Sequence, residues 1–183
     1  PDHLALLEAG DPRGELISLH DKPQLRDAFV EANASKLLGR AGAHVKAYRL
    51  GWHYCVLDFV EARVAAGDDG AALVRAILDS PAAEELRALT LVGVAAAGEL
   101  VDLEPAMAGL ANAKLPGRCR SLAFVDERAR KASMLVATYF TPPPNLVKLG
   151  PLEPFWKLAE HVRIEVADAE QIAVRKIDAP ELR

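Results

Sequence analysis

Chemistry could reside first in His53-Tyr54-Cys55, a close His/Cys pair with Asp58 three positions further on. An imidazole beside a thiol can sustain the thiolate that nucleophilic catalysis needs, and a carboxylate can orient the imidazole. That set would suit a small hydrolase or transferase. A working site also requires an oxyanion donor and an open cleft, which spacing does not supply. The pair leads into an apolar run, Val56-Leu57, so packing is the favoured role for Cys55.

Other residue groups give less. His3, His20, His44 and His161 lack the short spacings of a zinc site, so no metal is expected. Gly10-Asp11-Pro12-Arg13-Gly14 has the glycines of a phosphate loop but no Gly-Lys-Ser/Thr, and Pro12 removes a backbone donor; a corner between two helices fits better. Asp68-Asp69-Gly70 starts like a calcium loop yet lacks the later oxygen ligands, and reads as a turn with a helix cap. Cys55 and Cys119 fall where apolar side chains belong, as buried free thiols rather than a disulfide. Glu84, Glu85 and Arg87, and then Asp126, Glu127, Arg128, Arg130 and Lys131, flank strand and helix starts as solvated charge. No cofactor is implied.

The elements that must position these residues are set by Leu86, Leu89 and Leu91, an L-x-x-L-x-L pattern. Phe59, Ala62 and Val64 fill the same slots upstream; Cys119, Leu122 and Phe124 fill them downstream, and Leu146 and Leu149 more weakly, at offsets of 27, 33 and 27 residues. Leucine-rich repeats run about 20 to 29 residues with one short strand each, so one interval carries an insertion. Parallel strands are predicted over 59–64, 86–91 and 119–124, joined by the crossover helices that parallel neighbours need. The spacing of Leu73, Val74, Ile77 and Leu78 predicts a helix over 70–80, capped by Asp69 and ended by Pro81. Leu100, Leu103, Met107 and Leu110 predict another over 99–113, with Pro105 inside it as a kink. Ala132, Leu135, Val136 and Tyr139 predict a third before Pro142-Pro143-Pro144. The fold expected is α/β, a short leucine-rich-repeat-like solenoid with a parallel sheet, capped by N-terminal helices.

The cap covers 1–50 and the repeat region 51–183, with one continuous core. Residues 3–9 predict a helix that stops at Gly10 in a left-handed cap, and Asp11-Pro12 starts the next over 13–20, with Leu16, Ile17 and Leu19 for burial. Further helices over 22–50, with Leu25, Phe29, Ala32, Leu37 and Leu38 as core, would cover the open edge of the first strand. Val162-Arg163-Ile164-Glu165-Val166 alternates as a last strand, Ile172-Ala173-Val174 can pair with it or with the preceding edge, and the tail from Asp178 is expected to fray.

The run Leu6-Leu7-Glu8-Ala9-Gly10-Asp11-Pro12-Arg13-Gly14-Glu15-Leu16-Ile17 resembles the end of a short helical repeat-companion domain that precedes leucine-rich-like repeats in large bacterial paralogous sets. Phe59-Val60-Glu61-Ala62-Arg63-Val64 is similar to the first strand of the associated repeats. The resemblance implies a fold and a bacterial context; it brings no active site. The family's preceding helix is missing here, which with a first residue of Pro1 suggests a trimmed start.

With 183 residues, 51% hydrophobic and 26% charged, the chain supports one domain with a real core. A net charge of −4 and a pI near 5.8 argue against a nucleic-acid or anionic-membrane surface. No apolar run approaches the roughly 18 residues of a membrane span, the first twenty residues lack a secretory core, and a cytoplasmic protein is expected. The function expected is a protein-interaction module without enzymatic activity. Its partner is another protein, of unknown identity, and the oligomeric state is open. The binding surface would be the strand residues that alternation points away from the helices: Glu61, Arg63, Ala88, Thr90, Ser121, Ala123 and Lys148.

Overall fold

The computed structural model describes residues 3–95, 99–128, 147–167 and 174–178. The chain begins with helices α1 (His3–Glu8) and α2 (Pro12–Ser18), and their junction explains the Gly-Asp-Pro-Arg-Gly run. Gly10 takes φ +63°, a left-handed conformation that suits a residue without Cβ. The Asp11 carboxylate accepts the Arg13 amide at 2.9 Å and grips the Arg13 guanidinium at 2.6 Å, while Pro12 opens the helix. A Cβ on Gly14 would stand 2.9 Å from Leu7 Cδ2, so the two helices meet closely there, and Leu16 is fully buried behind them.

Helices α3 (Pro23–Ala32) and α4 (Ala34–Leu38) and a 3-10 stretch (Gly39–Ala47) follow. Leu37 and Leu38 are core as expected, but Leu25 and Ala32 are exposed and Phe29 only half-buried; Val30, Ala34 and Ala41 are buried instead. These helices do not cover the edge of the first parallel strand. That position belongs to β1 (Tyr48–His53), antiparallel to β2 (Val56–Ala65). The 3-10 stretch packs instead against β2 and helix α5 (Gly70–Leu78), extending the helical layer, and the Tyr48 hydroxyl donates to the Leu73 carbonyl at 2.7 Å beneath it.

The main sheet has six strands in the order β1, β2, β3 (Ala88–Val94), β5 (Ser121–Asp126), β7 (His161–Ala167) and β8 (Val174–Asp178). From β2 to β7 the strands are parallel and follow in chain order; β1 and β8 are antiparallel. The protein is thus α/β with a mostly parallel sheet. The segments 59–64, 86–91 and 119–124 lie side by side in parallel, and Leu89 beside Leu122 and Leu91 beside Phe124 keep the expected offset of 33.

Two expectations of register are corrected. Val60 stands beside Leu89 and Ala62 beside Leu91, an offset of 29 rather than 27. The cause is a β-bulge: Gly51 pairs with Phe59 and Trp52 with Leu57, so Asp58 is an extra residue that reverses the alternation. Leu57, not Phe59, therefore fills the first buried slot. The fourth unit is not at Leu146 and Leu149. Val162 pairs with Leu122 and Ile164 with Phe124, whereas β6 (Val147–Lys148) forms a separate two-stranded parallel sheet with β4 (Val101–Asp102). Leu146 lies outside the described residues. In this register one burial pattern holds in four places: Leu57, Val60, Ala62; Leu86, Leu89, Leu91; Cys119, Leu122, Phe124; and Ala159, Val162, Ile164 are all buried.

The helical side of the sheet carries α5, a 3-10 turn (Pro81–Glu85) and α6 (Glu104–Ala111). Leu73, Val74, Ile77, Leu103, Met107 and Leu110 enter the core, and Leu100 is exposed. The helix expected over 99–113 is shorter because β4 occupies its start, and Pro105 consequently sits in the first turn, where its missing N–H costs nothing. The short helix α7 (Phe155–Leu158) brings Phe155 within 4.8 Å of Phe124, centroid to centroid. The helix expected around Ala132, Leu135, Val136 and Tyr139, the charges Arg130 and Lys131, and Ile172-Ala173 lie outside the described residues. Among the described residues no helix is long and apolar enough to cross a membrane.

Candidate interaction face

Parallel register places the side chains opposite the helices in rows across the sheet. Phe59, Ala88, Ser121 and His161 form the row nearest the strand N-termini; Glu61, Thr90, Ala123 and Arg163 form the next; Arg63, Val92, Val125 and Glu165 the third. The two middle strands contribute small or apolar side chains, and charge is confined to β2 and β7. With neighbouring strands about 4.8 Å apart, the charged walls stand about 14 Å from each other across a low floor.

The two ends of this trough differ. At the C-terminal end, Val92 and Val125 are fully buried and form a second, smaller apolar cluster with Ala123. Arg63 reaches across β3 to Glu127 while bonding Glu61 at 3.2 Å, and Glu127 holds the Arg63 guanidinium even more firmly in its charged form. At the N-terminal end the floor is open: Phe59, Ala88, Ser121, Ala123, His161 and Arg163 line a concavity of about 420 Å³. Among the residues that precede these rows in the chain, Arg87 pairs with Asp58 at 3.2 Å, Arg120 with Glu160, and Arg118 with Glu85.

Of the residues expected on the binding face, Ala88, Ser121 and Arg63 are partly accessible there. Glu61, Thr90 and Ala123 are on the same face but buried, at 2%, 3% and 6% exposure, Glu61 in its ion pair with Arg63. Lys148 is a correction. It belongs to β6, whose Val147 packs over Gly93 on the helical side, and its ammonium pairs with Glu104 at 2.6 Å and Asp102 at 3.4 Å. The fourth strand of the face supplies His161, Arg163 and Glu165 instead. Their signal was the clean alternation of 162–166, which marks a strand but not its place in the order.

The nucleophile set does not assemble. Tyr54 and Cys55 are the turn between β1 and β2, with Tyr54 at φ +53°. His53 is exposed and meets the Tyr54 ring edge-on at 4.8 Å, Cys55 is buried, and Asp58 points to Arg87. No hydrogen bond joins any two of the three. Cys119 is also buried, and burial pushes its thiol up to about 11, away from nucleophilic use. Among the described residues, no three His, Cys, Asp or Glu side chains converge as a metal site.

Comparison with known protein families, with curated proteins and with solved structures finds no match for this chain.

Proposed function

We propose that this chain is a protein-interaction module without catalytic activity, a short leucine-rich-like solenoid that takes another protein on the open half of its sheet face. The observation that carries this reading is the floor of Ala88, Ser121 and Ala123 between charged walls, which lets a partner approach the backbone closely while the walls orient it. Four parallel strands in chain order, each with the same buried pattern, support the solenoid reading, and solenoids characteristically bind through such extended faces. The resemblance of residues 6–17 to a repeat-companion domain points the same way.

The test is affinity capture followed by mass spectrometry with the parent, Ser121→Arg and Arg75→Glu. Ser121 faces the concavity and Arg75 is exposed on α5, on the helical side. Loss of the captured protein with Ser121→Arg and its retention with Arg75→Glu is the expected result. The reverse pattern overturns the reading.

A further inference from the structure

We infer that the segment seated on this face is polar but uncharged, and that it sets a carboxamide, from Asn or Gln, over Ser121 and His161. The inference rests on the interaction reading above and adds the partner's chemistry. The charges around the concavity are closed on themselves. Among the described residues, Arg163 is the one side chain of fixed charge that lines it, and it pairs with Glu165 at 3.4 Å. On the opposite wall Arg63 pairs with Glu61 and Glu127. A carboxylate or an ammonium brought under cover here gives up its water and meets no unpaired charge of opposite sign, which disfavours both. The walls therefore confine a segment without drawing a net charge to it.

The polar groups left open in the concavity are a hydroxyl and an imidazole. The side chains of Ser121 and His161 both line it, and neither makes a hydrogen bond to any described residue. Register sets the two side by side on β5 and β7, about 4.8 Å apart at the backbone. A hydroxyl and a neutral imidazole each offer a donor and an acceptor. Exposed, both can bond to solvent; beneath an apolar segment both would be left unsatisfied. A carboxamide answers the two together, its C=O accepting from one and its NH2 donating to the other. Phe59 and Ala88 continue the same row on β2 and β3, so the floor passes from apolar to polar across the sheet. The segment accordingly lays apolar surface over Phe59 and Ala88 and its amide over Ser121 and His161.

The test uses four fluorescein-labelled peptides of about twelve residues, alternating Ala with Gln, Met, Glu or Lys, followed by anisotropy at about 50 and about 300 mM salt. Met matches Gln in length without its amide. Expected is saturable binding of the Gln peptide, changed less than about twofold by salt, at least about fivefold weaker for the Met peptide, and absent for the Glu and Lys peptides. Ser121→Ala with His161→Phe should weaken the Gln peptide about tenfold, and Ser121→Trp should abolish its binding. His161→Gln, which keeps a donor and an acceptor, should preserve more affinity than His161→Phe, with thermal unfolding recorded for each variant so that a folding defect is not taken for a binding one. The carboxamide inference is overturned by a Met peptide that binds as tightly as the Gln peptide, by a preference for Glu or Lys, or by Gln binding that Ser121→Ala with His161→Phe leaves unchanged. If Ser121→Trp still abolishes the binding in those cases, the face reading stands. Binding that survives Ser121→Trp removes both. Binding by none of the four also overturns the inference, and the capture experiment then judges the face by itself.

Discussion

Arg63 and Glu127 are joined by an ion pair that passes over a whole strand, from β2 across β3 to the residue that follows β5. The same guanidinium serves Glu61, whose carboxylate is only 3% exposed. Removing the cation leaves a buried carboxylate with less to offset its desolvation. Arg63→Ala should therefore destabilise by about 2 kcal/mol, below the roughly 3–5 seen when a fully buried pair loses one member, since Arg63 is itself a third exposed. Chemical denaturation checks this. Glu61→Gln added to Arg63→Ala should recover part of the loss, and a double variant as weak as the single would count against the ion pair as the cause.

The two sides of β3 should respond differently from a common outward rule. Leu89→Ala should cost about 2 to 5 kcal/mol through lost burial and a residual cavity. Thr90, on the other side, is only 3% exposed, so Thr90→Arg should also destabilise, by about 1 to 3 kcal/mol of overpacking. Ser121→Arg, at an accessible position, should stay within about 0.5 kcal/mol of the parent. Urea midpoints for the three variants decide it; a Thr90→Arg protein as stable as Ser121→Arg would show that the face is open at Thr90.

Asp11 is held below the ordinary carboxylate range, chiefly by the hydrogen bond from the Arg13 side chain. A carboxylate depressed in the folded state adds stability above its unfolded pKa of about 3.9, and that increment is lost as pH falls below it. Asp11→Asn, which can still cap the helix but loses the charge facing Arg13, should lose about 0.5 kcal/mol near pH 7. The gap between variant and parent should narrow below about pH 4, where the parent's carboxylate protonates. A gap that stays constant down to low pH would exclude ionisation of Asp11 as its source.

Cys119 makes the opposite pH prediction. Burial raises its thiol from 9.0 to about 11, so folded protein keeps it protonated after the unfolded chain has begun to ionise. Its contribution is constant below about pH 9 and falls as pH rises toward 11. In a Cys55→Ala background at neutral pH, labelling of Cys119 by a disulfide reagent should be limited by opening of the fold and should accelerate sharply with denaturant. Rapid labelling of the native protein would mean an accessible thiol.

The sequence made the middle of the sheet readable and its margins less so. Leu86 to Leu91 and Cys119 to Phe124 declare their register through bulky apolar residues at matching spacings, and the structure pairs them as expected. Phe59 misleads because an aromatic residue looks like an anchor. The bulge at Asp58, which nothing in its composition announces, turns that ring to the other face and gives its slot to Leu57. Residues 162–166 were legible as a strand, but an assumption of even spacing assigned the fourth position to Leu146 and Leu149. Alternation places Glu61, Thr90 and Ala123 on the sheet side away from the helices, as the register shows; their burial there is not reported by any local pattern. The pairing of Arg63 with Glu127 is a contact between residues 64 apart in sequence, invisible before the strands are ordered.

The antiparallel strands β1 and β8 have a consequence for assembly. A row of like-directed strands is an open lattice in which either flank offers a following unit the partner it lacks, and copies could in principle concatenate without limit. Here the outermost strand on each flank runs against the others. A second molecule arriving at either flank meets a strand of the wrong direction to continue the parallel run. Reversed polarity at both flanks of the described sheet thus disfavours continuation of its parallel run by another copy.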